Sequence, residues 1–180
     1  SPTKVMSSGK DQTIKVWDLE KGTVSGTEML GHTDTITESI YDKSLEQIVS
    51  ASLDNTIRVW DPISHEQLFS FKGNGEPFVS AIDAESNTVA YINEDAIEIR
   101  NLVTRDLLGS IRTPTPASIQ AISLGLDANT LFIAFPDRVE ARKVSTGELI
   151  STIAFSNPFL LSKMLVDKGY RVIAPDLLGY

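Results

Sequence analysis

"GHTDTITESIYDKSLEQIVSASLDNTIRVWD" runs from Gly31 to Asp61 and decides how the rest of the chain is read. It holds a His, several hydroxyls and carboxylates, and a Trp, residue types that can serve catalysis or fasten a fold. Its ending, "TIRVWD" at Thr56–Asp61, has an earlier echo in "TIKVWD" at Thr13–Asp18. In both, apolar residues alternate with polar ones, the period of two that belongs to a strand with one covered face.

The echo continues beyond the tryptophans. "TIKVWDLEKG" at Thr13–Gly22, "TIRVWDPISH" at Thr56–His65, "AIEIRNLVTR" at Ala96–Arg105 and "RVEARKVSTG" at Arg138–Gly147 align on Trp17, Trp60, Arg100 and Arg142, spaced by 43, 40 and 42 residues. Helical-hairpin solenoids share such a period, but they would show a 3.6-residue apolar rhythm, and this chain does not. The intervening sequence also reads as short strands: Ile36–Tyr41, Gln47–Ala51, Gln67–Phe71, Val79–Ile82, Val89–Ile92, Leu107–Ile111, Ile119–Leu124, Leu131–Phe135 and Leu149–Ile153. Turns such as "SLDN", "AESN", "TPTP" and "LDAN" separate them. About fifteen strands fill Thr3 to Ala154, an all-β array of small sheets.

The pair "GH" at Gly31–His32, "SASLDNTIRVWD" at Ser50–Asp61 and "SSGKDQTIKVWD" at Ser7–Asp18 closely resemble WD40 repeats. The third and fourth repeats lack the Trp-Asp and Gly-His pairs and rest on spacing and alternation. The resemblance covers about 85% of the chain and implies four-stranded antiparallel blades of a β-propeller over residues 1–155. In that register Thr3–Ser7 is the second strand of an incomplete first blade, and three full blades follow. Closed propellers have roughly four to eight blades. The expectation is therefore an incomplete ring of about four blades, with a homo-oligomer of two copies completing an eight-bladed ring through exposed edges.

After Phe155 the grammar changes. Asn157 suits an N-cap and Pro158 a first helical position, Leu161/Leu165 and Leu160/Met164 fall four apart, and Gly169 suits a helix stop. "YRVIA" at Tyr170–Ala174 follows as a buried-type strand. "LVDKGYRVIAPDLLGY" looks like α/β-hydrolases of the epoxide hydrolase and haloalkane dehalogenase group, so residues 156–180 form a separate helix–strand tail. Asp176 falls at a turn, and the nucleophile elbow of that family would come after Tyr180. A natural fusion, an artificial chimera and a recombined fragment all remain open as origins.

Composition narrows the function. A formal net charge of −8 and a pI near 4.7 lack the basic footprint that nucleic acid or an anionic membrane surface requires. The chain contains no cysteine, hence no disulfide, thiol nucleophile or thiolate-bound metal. No run approaches the length of a membrane span and no signal-peptide pattern opens the chain. The expected setting is cytoplasmic, with the nucleus also open.

The WD40 resemblance implies that His32, Ser50, Asp54 and Trp60 form a structural tetrad, each buried polar group satisfying another. The same types could make a Ser-His-Asp triad, but the Trp closes the set and no oxyanion hole is implied, so no catalytic residue is assigned. Ser7, Asp11 and Trp17 form a partial tetrad without its His. His65 sits in a turn-like position and is expected to be exposed; two separated histidines make no metal site. "GNGEP" at Gly73–Pro77 lacks the Lys and Ser/Thr of a phosphate loop. The carboxylates of "EDAIE" and "DAESN" are expected in solvated turns. No cofactor is implied. By position in the resembled family, Lys10, Thr35, Thr37 and Leu53 face partners, with Leu53 an apolar residue in a tight turn. The expected function is a non-catalytic scaffold for protein or peptide partners. The alternatives are a piece of a propeller–hydrolase fusion acting on epoxides, haloalkanes or esters, and an artificial propeller fragment.

Overall fold

In a computed structural model, residues 3–74, 80–113, 118–125 and 129–154 are described. The chain forms two compact units, Ser1–Gly73 and Asn74–Tyr180, each containing two antiparallel sheets. In unit 1 the first sheet has order β1(Lys4–Ser8)–β2(Ile14–Asp18)–β3(Thr23–Val24). The second has order β4(Ile36–Asp42)–β5(Gln47–Ser52)–β6(Thr56–Trp60)–β7(Gln67–Lys72). Unit 2 repeats the four-stranded pattern twice, as β8(Ser80–Asp83)–β9(Thr88–Asn93)–β10(Ala96–Asn101)–β11(Leu107–Arg112) and as β12(Ala121–Leu124)–β13(Thr130–Ala134)–β14(Arg138–Lys143)–β15(Leu149–Ala154). Every sheet is a simple meander, the arrangement short loops permit between antiparallel neighbours.

The predicted strands lie where the alternation put them, with ends moved by a residue or two. Strand β12 begins at Ala121 rather than Ile119. Strand β3 has only two residues, because Gly26 turns the chain away at φ +85 and it returns at Met29 as a single bridge to Ile14. The expected helix at 157–169 and strand at 170–174 lie outside the described residues, as do Val79 and most of the Gly73–Pro77 turn.

Three sheets carry the same irregularity. Their pairing shifts register between Val59 and Trp60, between Ile99 and Arg100, and between Ala141 and Arg142. A bulge at this position turns the side chain that follows it, and it persists where Arg has replaced Trp. After each of these three strands, and after β2, the chain makes the same five-residue turn. Gly22, His65, Arg105 and Gly147 donate their amides to the carbonyls of Asp18, Asp61, Asn101 and Lys143 at 2.8–2.9 Å, all with φ between 64 and 71. The repeats that have lost their motif residues have kept its backbone.

Each unit has its own core. In unit 1, Ile14 and Met29 meet Ile36, Ile48 and Trp60 between the first and second sheets. In unit 2, Ile92, Ile97, Ile99 and Ile111 of the third sheet pack with Ile122, Leu131, Ile133 and Val144 of the fourth. Strands β5 and β9 are buried along nearly their whole length, so both faces are covered. Glu140 on β14 is buried as well, so the single covered face expected from alternation is incomplete there.

Candidate functional site

The turn Leu53–Asn55 between β5 and β6 brings Asp54 beneath His32, which precedes β4. His32 Nδ1 lies 2.9 Å from Asp54 Oδ2, and His32 Nε2 lies 2.8 Å from Ser50 Oγ. Trp60 Nε1 donates to the same Ser50 Oγ at 2.9 Å. Indole N–H can only donate, so Ser50 accepts from Trp60 and passes its own proton to His32 Nε2. His32 is then neutral, with its proton on Nδ1 and directed at the Asp54 carboxylate. Every polar atom of the relay has at least one partner of the right kind.

Two further residues complete the set, and the sequence reading did not single them out. Thr56 donates its hydroxyl to Asp54 Oδ1 at 2.6 Å and its amide at 2.9 Å, and Arg58 Nε donates to the Thr56 hydroxyl at 3.1 Å. The Thr33 amide supplies another bond to Asp54 Oδ2, at 3.0 Å. The signal was present: Asp11, Thr13 and Lys15 repeat the spacing of Asp54, Thr56 and Arg58. Gly31 is there for room, since a Cβ on it would stand 2.9 Å from Arg58 Nη1 and 3.2 Å from the Trp60 ring.

The electrostatics follow from burial and these bonds. Burial pushes the His32 imidazole below its ordinary value, against the opposing pull of Asp54. Burial alone would raise the Asp54 carboxyl, but the Thr56 hydroxyl, the Thr33 amide and His32 together hold it below the usual carboxylate range. A Ser-His-Asp relay is thus present in its connections, yet Ser50 has no exposed surface and its oxygen already holds the indole. An acyl group could not reach that oxygen without unpacking Trp60.

In the first sheet, Trp17 Nε1 donates to Ser7 Oγ at 2.7 Å, while Asp11 binds Thr13 and pairs with Lys15 at 2.7 Å. Ser7 and Trp17 are joined; Asp11 is not joined to them. His65 is half-buried rather than exposed: its ring donates to the Thr27 carbonyl and closes over Gly26, where any Cβ would collide with it.

The third sheet replaces the relay with an ionic cluster. Pairing register places Tyr91 opposite Glu98 as Ser50 lies opposite Arg58. Tyr91 donates to Glu98 Oε2 at 3.0 Å, Asn93 to Oε1 at 2.9 Å, and Arg100 Nε to Oε2 at 2.9 Å and to the Tyr91 oxygen at 3.0 Å. Burial, then Glu98, pushes the Tyr91 phenol up to about 12. In the fourth sheet Glu140 takes Arg138 and Arg142 at 2.8 Å each. Glu98 belongs to "EDAIE", so the expectation of a solvated turn carboxylate fails there: the residue lies on β10, facing across the sheet. Asp83 of "DAESN" is half-buried and ends β8, capping the Glu85 amide of the turn that follows at 3.1 Å.

The residues expected to face partners gather at the same end of unit 1 as Asp54. The Leu53 amide donates to the Thr35 carbonyl at 2.9 Å, and the Ile36 amide to the Gly9 carbonyl at 3.1 Å, which brings the Lys10 turn beside them. Lys10 is exposed and Leu53 is 46% exposed. Thr35 is half-buried, and Thr37 turns its hydroxyl to the Ala51 carbonyl at 3.3 Å. Among the described residues no group of three or more His, Asp or Glu side chains forms a metal-binding set, and no helix is long and apolar enough to cross a membrane.

Residues 23–61 match the model of the WD40 family, described as WD domain, G-beta repeat. The chain is 24% identical to autophagy-related protein 16 of Arabidopsis thaliana over 94% of its own length and 33% of that protein's. It is 42% identical to cell division control protein 4 of Saccharomyces cerevisiae over 32% of the chain and 7% of the relative. It is 26% identical to serine-threonine kinase receptor-associated protein of Bos taurus over 67% of the chain and 33% of the relative. The chain spans a third or less of the length of these curated relatives.

Proposed function

We propose that this chain is a non-catalytic protein-interaction scaffold whose WD-repeat sheets present the Lys10–Thr35–Leu53 end of unit 1 to protein or peptide partners. The observation that carries this reading is the burial of Ser50. The residues that could do chemistry are spent on one another inside the second sheet, whereas an apolar Leu53 and an exposed Lys10 are left at the loops. An exposed apolar side chain beside a flexible charge is the kind of anchor that protein interfaces use. The match of residues 23–61 to the WD40 family model supports a binding role.

The finer part of the proposal is that a second copy supplies the sheets that complete a ring. Ile153 supports it. It pairs with Val139 as Ile111 pairs with Ile97 and Phe71 with Ile57, yet it is 37% exposed where Ile111 and Phe71 are buried. The following sheet covers Ile111, and none among the described residues covers Ile153.

Cross-linking with an amine-reactive reagent tests the scaffold role. A partner bound as proposed links through Lys10, and Leu53→Ser lowers its retention about tenfold. Retention unchanged by Leu53→Ser, or an ester- or epoxide-hydrolysing activity that disappears with His32→Ala, overturns the proposal. Light scattering tests the ring: a monodisperse monomer removes self-completion and leaves the scaffold role standing.

A further inference from the structure

We infer that the end of the second sheet opposite the Asp54 turn holds a second docking site, whose occupant is an extended protein segment with an apolar side chain next to a Lys or Arg. The site is distinct from the Leu53 end and does not depend on it.

The β4–β5 and β6–β7 turns meet there around an open cleft of about 370 Å³, lined in part by Tyr41, Leu45, Glu46, Asp61, Ile63 and Leu68. Tyr41 is 50% exposed, Leu68 47% and Ile63 89%. Both walls are held by side-chain caps. Asp42 Oδ1 accepts the amides of Ser44 and Leu45 at 2.8 and 3.1 Å, and Asp61 Oδ1 those of Ile63 and Ser64 at 2.7 and 2.9 Å. The apolar groups are thus presented on fixed backbone, which lowers the ordering cost of binding.

The third sheet shows that the fold does not require these residues. Counted from Asp42 and Asp83, which open the equivalent turns, Leu45 and Glu46 correspond to Ser86 and Asn87; Asn101 stands in the place of Asp61. Asn101 caps its turn at 2.8 Å to each of Val103 and Thr104 without a charge. The second sheet therefore adds two carboxylates, Glu46 and Asp61, and one apolar group, Leu45, that its turns do not need, while Ile63 and Leu68 have exposed counterparts in Val103 and Leu108.

The charge selects the occupant. Glu46 and Asp61 form no ion pair among the described residues; His65 is the titratable group acting on Asp61, and Lys43 is exposed in the neighbouring turn. Two carboxylates rimming an apolar cleft match a cation beside an apolar anchor. An Asp- or Glu-bearing segment, from a second copy or any other chain, would set acid against acid at this cleft. Nucleic acid meets the same repulsion.

Two capped peptides test the site by backbone amide shifts: Gly-Leu-Arg-Leu-Arg-Gly and its counterpart with Glu for Arg. The expected result is shifts at 41–47 and 61–68 with the Arg peptide, and binding about fivefold weaker or more for the Glu peptide. The isosteric pair Glu46→Gln with Asp61→Asn, which preserves the Asp61 cap, should weaken the Arg peptide by a similar factor. Ile63→Ser should abolish it, and Leu53→Ser should leave it unchanged. Equal binding of the two peptides, shifts confined to the Leu53 end, or a dimer of this chain that Ile63→Ser dissolves would each overturn the inference.

Discussion

Trp60 donates its indole N–H to Ser50 Oγ at 2.9 Å, deep in the second sheet, while Trp17 makes the same bond to Ser7 at 2.7 Å on a first sheet that leaves both residues partly or fully exposed. One chemical contact thus occurs at two depths of burial. Water can replace the exposed partner, and nothing can replace the buried one.

Ser50→Ala should therefore destabilise unit 1 by about 2–3 kcal/mol, since it leaves both the Trp60 N–H and His32 Nε2 buried without partners. Ser7→Ala should cost less than about 1 kcal/mol. Urea unfolding followed by tryptophan fluorescence measures both. Equal losses would contradict the assignment of the buried relay.

Stability should fall as the solution becomes acid, in two stages. His32 has a folded value below its ordinary 6.5, so the unfolded chain binds the proton first and stability is lost as pH drops through that range. Asp54 has a folded value below its ordinary 3.8, so its contribution is lost in turn below that pH. Denaturant midpoints between pH 8 and 5 should decline in the parent chain and stay flatter in His32→Gln.

Tyr91 titrates at about 12, above its ordinary 10.0, because ionising it would bury a second negative charge beside Glu98. The unfolded chain loses this proton first, so the contribution is complete below pH 10 and is lost as pH rises toward 12. Ultraviolet titration should show one phenol ionising late, and Tyr91→Phe should remove that phase.

Glu94→Gly should raise stability by about 0.5–1 kcal/mol. Glu94 is exposed, opens the two-residue link between β9 and β10, and sits at φ 56, where a Cβ is unfavourable. Among the described residues its hydrogen bond is made by the backbone amide, to Asn74 Oδ1 at 2.5 Å. A raised thermal midpoint with unchanged circular dichroism is the expected reading.

Gly109→Ala should act in the opposite direction, at a cost of about 1–3 kcal/mol. A Cβ there would fall inside the contact distance of the Val144 carbonyl oxygen, which is main chain and cannot rotate away. Gly9→Ala, with nothing within 4 Å, is the matched control and should change stability little.

The strands were legible because their residues announce themselves locally. Alternation such as Ile57, Val59 or Ile97, Ile99 needs only a covered face to become a strand, and the Trp-Asp echo fixed the repeat length. His32, Ser50, Asp54 and Trp60 were legible together because a family resemblance grouped residues as far as 28 positions apart. Thr56 and Arg58 were overlooked although their spacing recurs, since a Thr and an Arg on a strand look like solvent-facing choices. Glu98 was misread for a similar reason: next to Glu94 and Asp95 it looked like part of an acidic turn.

By itself the sequence determined the local periods: where strands run, where Gly, Asn and Asp turn the chain, and that the segments recur about every 40 residues. Those are properties of near neighbours, governed by backbone sterics and by which side chains share a face. The tertiary structure decided what each repeat does with its polar groups. Only the second sheet brings His, Ser, Asp and Trp to hydrogen-bonding distance; the third and fourth gather Glu and Arg at the same bulged position. Burial decides this, because a polar atom removed from water must find its partner among residues that the fold, not the chain order, places beside it.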